Sequence, residues 1–212
     1  MRAIHTIFKA VLIMSRQKNI VARHGEQVIF SNQILKASLM ESTKAVYSLA
    51  NRAYFFEGQM YKGSPAVCVG DYFTRPKDNN NTYFIETILN EPMASDMIYA
   101  ACIRCNVTIT IKRRPNNERD DNGELLPYAV VHENVKCFRD ISARSNKATS
   151  DGLLDQSIYT IILPHSYMIS EGDMVVMQNN IKGANSLSEF SVESVGSQVI
   201  GTDTVQLLFK KS

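Results

Sequence analysis

Cys102-Ile103-Arg104-Cys105-Asn106-Val107-Thr108-Ile109-Thr110-Ile111-Lys112 is the stretch that decides the fold class. Ile103, Cys105, Val107, Ile109 and Ile111 fall on one parity. Cys102, Arg104, Asn106, Thr108, Thr110 and Lys112 fall on the other. Successive side chains of a strand point to opposite faces, so this alternation predicts a strand with one buried and one wet face. It outlasts the usual ~5–6 residues, which predicts the centre of a sheet or the wall of a barrel.

Working outward, the pattern stays that of short strands. Tyr83 to Leu89 reads as a strand closed by Asn90-Glu91-Pro92, behind a polar tip at Pro76 to Asn81. Gly58, Gly63-Ser64-Pro65 and Gly70-Asp71 punctuate the segment before it. Downstream, Arg113 to Glu124 is a charged loop without one apolar residue, and Ser142 to Asp151 is a second polar stretch. Strands are expected at Val130 to Arg139, Ile158 to Leu163, Met174 to Met177 (after the turn Glu171-Gly172-Asp173), Phe190 to Val195 and Thr204 to Phe209. Asn179 to Ser188 is expected to loop out. No internal repeat stands out. The fold class is therefore mainly β, a small antiparallel barrel or sandwich with long polar loops.

The amino-terminal part reads differently. Ile7, Val11 and Met14 share a helical face, and Gly25 stops that helix by accepting a left-handed conformation. Gln27 to Phe30 is a short strand. Leu35, Leu39, Val46 and Leu49 recur at three-to-four-residue steps or multiples, which predicts an amphipathic helix, or else an extended arm across a neighbouring subunit. The expected organisation is an arm over 1–53 and one β-barrel domain over 54–212. Lys9 interrupts the apolar run at 7–14 and no small-residue cleavage pattern follows, so no secretory leader is expected.

Charge and motifs narrow the function classes. The 212 residues carry 23 Lys plus Arg against 21 Asp plus Glu, a net +2, too balanced for a strong nucleic-acid binder. Cys102 and Cys105 have metal-ligand spacing, with His132 and Cys137 downstream, but alternation sends the two thiols to opposite faces, so no metal or cofactor is expected. His5, His24, His132 and His165 sit in no recognised acid or nucleophile spacing and read as turn or surface histidines. No nucleophile elbow, phosphate-cradling loop or dinucleotide fingerprint occurs, so no catalytic residue is assigned and no enzyme is expected. Tyr54, Phe55, Tyr72, Phe73 and Tyr83 read as core or interface aromatics before a base-stacking platform.

Four stretches together resemble the head-closure (stopper) proteins of long-tailed bacteriophages, over roughly residues 20–180. They are Arg23-His24-Gly25-Glu26, the run from Tyr61-Lys62-Gly63 to Gly70-Asp71-Tyr72-Phe73, Ile85 through Asn90-Glu91-Pro92 to Arg113, and Asp151-Gly152-Leu153-Leu154-Asp155 with Tyr159 to Pro164 and Ser170-Glu171-Gly172-Asp173. The first 20 residues and the 178–189 loop have no counterpart. The resemblance implies a β-barrel subunit of a homo-oligomeric ring in the virion neck, between the portal and adaptor proteins and the tail-terminator or tail-tube protein. Such a ring retains packaged double-stranded DNA, docks the tail, and touches no membrane. On it, Lys112, Arg113, Arg114 and Arg119 are the candidate channel-facing cations, and Leu35, Leu39, Val46 and Leu49 the candidate inter-subunit arm. A tail-terminator or other tail ring protein is the near alternative. A single-stranded nucleic-acid-binding barrel is the alternative from another class.

Overall fold

A computed structural model describes residues 19–30, 33–41, 55–61, 67–89, 97–115, 119, 121–146, 157–181, 184–199 and 202–209. The chain is mainly β, as its alternation predicts. It divides into two compact units, Met1–Arg104 and Cys105–Ser212, where the sequence reading placed one barrel behind an arm. The division falls inside the stretch that decided the fold class. What reads as one strand is the end of one and the start of another, with Cys105 and Asn106 between them.

The first unit holds β1 (Glu26–Phe30), β2 (Gln33–Glu41), β3 (Phe55–Tyr61), β4 (Tyr72–Arg75), β5 (Asn81–Leu89) and β6 (Met97–Arg104). They close as a barrel in the order β1-β2-β3-β6-β5-β4. The second holds β7 (Val107–Arg113), β8 (Ala129–Asn146), β9 (Ser157–Pro164), β10 (Met174–Ile181), β11 (Ala184–Val199) and β12 (Thr202–Phe209). Read from β7, its order is β7-β8-β9-β12-β11-β10, the same circuit. All pairings are antiparallel. The fold is thus an internal repeat, which the sequence reading missed.

The repeat is sharpest where the chain crosses the barrel end to begin the fourth strand. Val67-Cys68-Val69-Gly70-Asp71 and Ile169-Ser170-Glu171-Gly172-Asp173 form the same turn. Val67 and Ile169 are buried plugs. Gly70 (φ 89°) and Gly172 (φ 85°) take the left-handed conformation that a Cβ disfavours. Each aspartate accepts from a backbone N–H three residues back, Cys68 N at 2.7 Å and Ser170 N at 2.8 Å. Each turn then docks on the fifth strand. Gly70 N donates to Ile85 O and Ile85 N to Asp71 O; Gly172 N donates to Val192 O and Val192 N to Asp173 O. A bulge follows directly in both, at Ile85/Thr87 and at Val192/Ser194.

Several expectations are corrected. Residues 33–41 are strand β2, not a helix or arm. Gly58 lies within β3, opposite Leu39 and Ala100, and does not break it. The start of the polar stretch at Ser142 belongs to β8, which runs to Asn146. Asn179–Ile181 and Ala184–Ser188 are paired strand residues of β10 and β11, where a loop is expected. Residues 19–24 are helical and Gly25 ends them, but its φ is not positive. It is required because a Cβ there would lie 2.4 Å from Val21 O, the carbonyl that accepts from Gly25 N. The rest of the helix expected over 1–25, and its Ile7, Val11 and Met14, lie outside the described residues. No helix among the described residues is long and apolar enough to cross a membrane.

Candidate functional site

The candidate cations start on β7 and run into the loop behind it. Arg113, the last residue of β7, is committed to the repeated turn. Its Nε donates to Asp173 Oδ1 at 2.8 Å and its Nη2 to Asp173 Oδ2 at 2.7 Å. The same Nη2 donates to Met168 O at 2.7 Å. Asp173 is only 3% exposed, so a charge buried at the turn is matched in a planar, two-point fit. The pairing raises the Arg113 guanidinium above its ordinary value. Lys112 Nζ lies 3.2 Å from Glu189 Oε1. Arg114 stacks its guanidinium 4.5 Å from the Tyr128 ring centroid, and its buried Nε has no hydrogen-bond partner. Arg119 donates through Nη1 to Gly123 O at 2.5 Å and bridges Leu125 in a tight hairpin. All four cations are therefore engaged within their own unit, and they do not converge on one point by any contact described.

The candidate arm residues separate. Leu35 and Leu39 pack against the first barrel's core with Val28, Ala37 and Ala100. They are half-buried residues of the strand β2 and not of a helix. Val46 and Leu49 lie outside the described residues. Of the aromatics, Phe73 and Tyr83 stack inside the core at 5.3 Å, with Phe30 5.0 Å from Phe73. Tyr72 meets Phe84 edge-on at 6.0 Å. Tyr54 lies outside the described residues.

Two constellations escaped the sequence reading. At one end of the first barrel, Arg75 makes a two-point pair with Glu26, Nε to Oε2 and Nη2 to Oε1, both 2.8 Å. Beside it the Tyr83 hydroxyl donates to Asp78, and Arg104 Nε reaches Asp78 at 3.3 Å. Burial and the Asp78 carboxylate push the Tyr83 phenol up to about 12. Burial works to raise Asp78, but the bonds from Tyr83 and Asn81 and the charges of Arg104 and Arg75 outweigh it, so the carboxyl sits below its ordinary value. In the second unit, His165 Nδ1 lies 2.9 Å from Asp203 Oδ1, with the imidazole largely exposed and the carboxylate buried. His132 meets Tyr167 edge-on, ring centroids 5.2 Å apart. His24 is exposed at the helix end, and His5 lies outside the described residues.

Cys102 is buried in the first unit. Cys137 is buried in the second, where Cys105 is half-buried. Burial pushes Cys105 up to about 12 and raises Cys102 and Cys137 as well, so these thiols stay protonated and unreactive near neutrality. Cys68 is exposed. Among the described residues no group of three or more His, Cys, Asp or Glu is placed to hold a metal ion.

No family model and no curated protein matches the chain. Two solved structures align along most of it. MrkH, described as a c-di-GMP-dependent transcription regulatory factor, is 11% identical with a TM-score of 0.23, over 94% of this chain and 83% of that one. K. pneumonia MrkH in its apo state is 10% identical with a TM-score of 0.22, over 94% and 84%. Superpositions of that quality carry no argument about fold or function.

Proposed function

We propose that the chain is a structural, non-enzymatic ring subunit of a phage virion neck, set between the portal and adaptor complex and the tail. It retains packaged double-stranded DNA and docks the tail-terminator or tail-tube protein. The observation that carries this reading is where the head-closure resemblance falls. Arg23-His24-Gly25-Glu26 is the helix end leading into β1, Gly70-Asp71-Tyr72-Phe73 is the turn into β4, and Ser170-Glu171-Gly172-Asp173 is the turn into β10. These are the places where each barrel is tied shut. The resemblance implies one barrel; here the ring subunit carries two.

Quantitative peptide mass spectrometry on purified particles from the source tests it. The expected result is presence at the copy number of one small ring, far below the major capsid and tail-tube proteins. High copy number moves the protein to the tail tube or shell. Absence from the particle overturns the reading, as does tight, salt-sensitive binding of a free oligonucleotide. The DNA-retaining part is the 113–124 loop, whose Arg119 is exposed, or else the 142–152 stretch, of which 142–146 belong to β8. Deleting 116–122 should leave the subunit folded and weaken genome retention; normal retention would exclude that loop.

A further inference from the structure

The repeat makes an addition visible. In the first unit the β4–β5 hairpin pairs from Tyr72↔Phe84 to Arg75↔Asn81 and then turns. In the second the matching ladder, Met174↔Ser191 to Met177↔Ser188, does not stop. It continues through Gln178↔Leu187, Asn179↔Ser186, Asn180↔Asn185 and Ile181↔Ala184. β10 pairs with β7 only over Met174–Met177, and β11 pairs with β12 only from Phe190 onward. Among the described residues, therefore, neither strand of the extension has an outer neighbour. Barrel closure does not call for it, because the first unit closes the same circuit without it.

We infer that this ribbon, residues 178–181 paired with 184–187, is a self-assembly element that pairs edge to edge with a second copy of the chain. A two-stranded ribbon is marginal in water by itself, and open edges are templates for another strand. Proteins that keep an edge solitary protect it with bulges, prolines or charges. The paired residues here, 178–181 and 184–187, carry none of these. The ladder runs without a register shift. The sequence from Gln178 to Leu187 contains no proline and no acid, and none of the paired residues Gln178-Asn179-Asn180-Ile181 and Ala184-Asn185-Ser186-Leu187 is charged. Leu187 is 73% exposed.

The occupant follows from the charges. Both edges are neutral, so the β10 edge of one copy meets the β11 edge of the next with no like charges opposed. A highly charged partner would find no charge on either paired edge to answer it. Each copy offers one open edge on either side. It can give one and receive one, and such a head-to-tail contact closes a ring when its rotation closes. The inference rests on the ring reading and names the part that makes the ring.

The test shortens the ribbon on the pattern of the first unit. Asn179–Ser186 is replaced by Asn-Gly, a two-residue hairpin turn on the Gln178↔Leu187 pair. Leu187→Lys, which puts a charge on the edge, is the milder variant. Sedimentation velocity of the intact chain and both variants is run from micromolar to millimolar concentration, with thermal melts alongside. The intact chain should associate with concentration. The shortened chain should stay monomeric with an unchanged melt, and Leu187→Lys should associate about tenfold more weakly. Association that survives shortening and the added charge overturns the inference and leaves the ring reading standing. An intact chain that stays monomeric throughout also overturns it, and the particle copy number then judges the ring reading alone.

Discussion

The two barrels share a circuit and a turn but are held together differently. The first has an aromatic centre, with Phe30, Phe73 and Tyr83 in contact. Among the described residues the seam that closes it between β1 and β4 is Ile29↔Thr74 and Phe30↔Phe73. The second is filled by aliphatic side chains such as Ile109, Ile111, Ile161, Leu163, Val175 and Leu207. Its seam runs from Met174↔Lys112 to Met177↔Ile109. The turn aspartates differ to match. Asp71 is half-exposed and caps its own turn, whereas Asp173 is buried under Arg113. In the first unit the two-point arginine pair is Arg75–Glu26, which links β4 to β1 across the short seam. In the second, Arg113 links β7 to the turn before β10, again across the seam. An arginine stitches the closure in both, from opposite sides. The circuit fixes where a stitch is needed and leaves open which strand supplies it.

Breaking the aspartates should show the largest difference. Asp173→Ala removes the buried partner of a partly exposed Arg113 together with the cap on Ser170 N, and should cost about 2–3 kcal/mol. Asp71→Ala loses one cap and should cost about 1 kcal/mol. Urea unfolding followed by amide exchange in β10 and in β4 separates the two units. Equal costs would mean that the two-point bond from Arg113 to the buried Asp173 adds nothing. Tyr83 distinguishes the barrels by pH. Its folded value, about 12, lies above the ordinary 10, so the folded state favours the neutral phenol. That stability is fully present below pH 10 and is lost as pH rises toward 12, roughly 2 kcal/mol in all. Base-induced unfolding of the first unit should therefore be steeper in the native chain than in Tyr83→Phe. Gly70→Ala and Gly172→Ala test what the units share. Both are left-handed, and each should cost about 1–2 kcal/mol, measured in the same unfolding series. A large disparity would break the equivalence of the turns.

The β class and most strands were legible because period two survives wherever one face is wet. The junction was not, because the parity of Ile103 carries on through Cys105 to Ile109 and Ile111 although the barrel changes between them. Leu35 and Leu39 were misread for a related reason. A spacing of four fits one helical face and also one strand face, and Ala37 between them, buried, belongs to the strand. The repeat was in the sequence as Gly70-Asp71 and Gly172-Asp173, but two identical residues in a unit of this length make no detectable period. His165 and Asp203, and Arg75 and Glu26, are neighbours only because strands pair across the barrel, a distance that sequence spacing does not encode. The charged loop is polar, as its composition indicates. That Lys112 and Arg113 at the end of β7 are spent on Glu189 and Asp173 depends on acids far away in the chain.

The smallest expected effect concerns one of those cations. Lys112 on β7 reaches Glu189 on β11 over the intervening strand β10, and both side chains are partly in water. Two flexible side chains held at 3.2 Å in a high dielectric gain little beyond their ordering entropy, so Lys112→Gln should cost under about 1 kcal/mol, and less still in molar salt. The first barrel has no such pair across the equivalent strand among the described residues. A salt-dependent loss well above that range would mean the pair stitches the second seam alongside Arg113. A negligible loss leaves Arg113 as the stitch. It also leaves Lys112 energetically free to exchange Glu189 for a phosphate, as a channel-facing role requires.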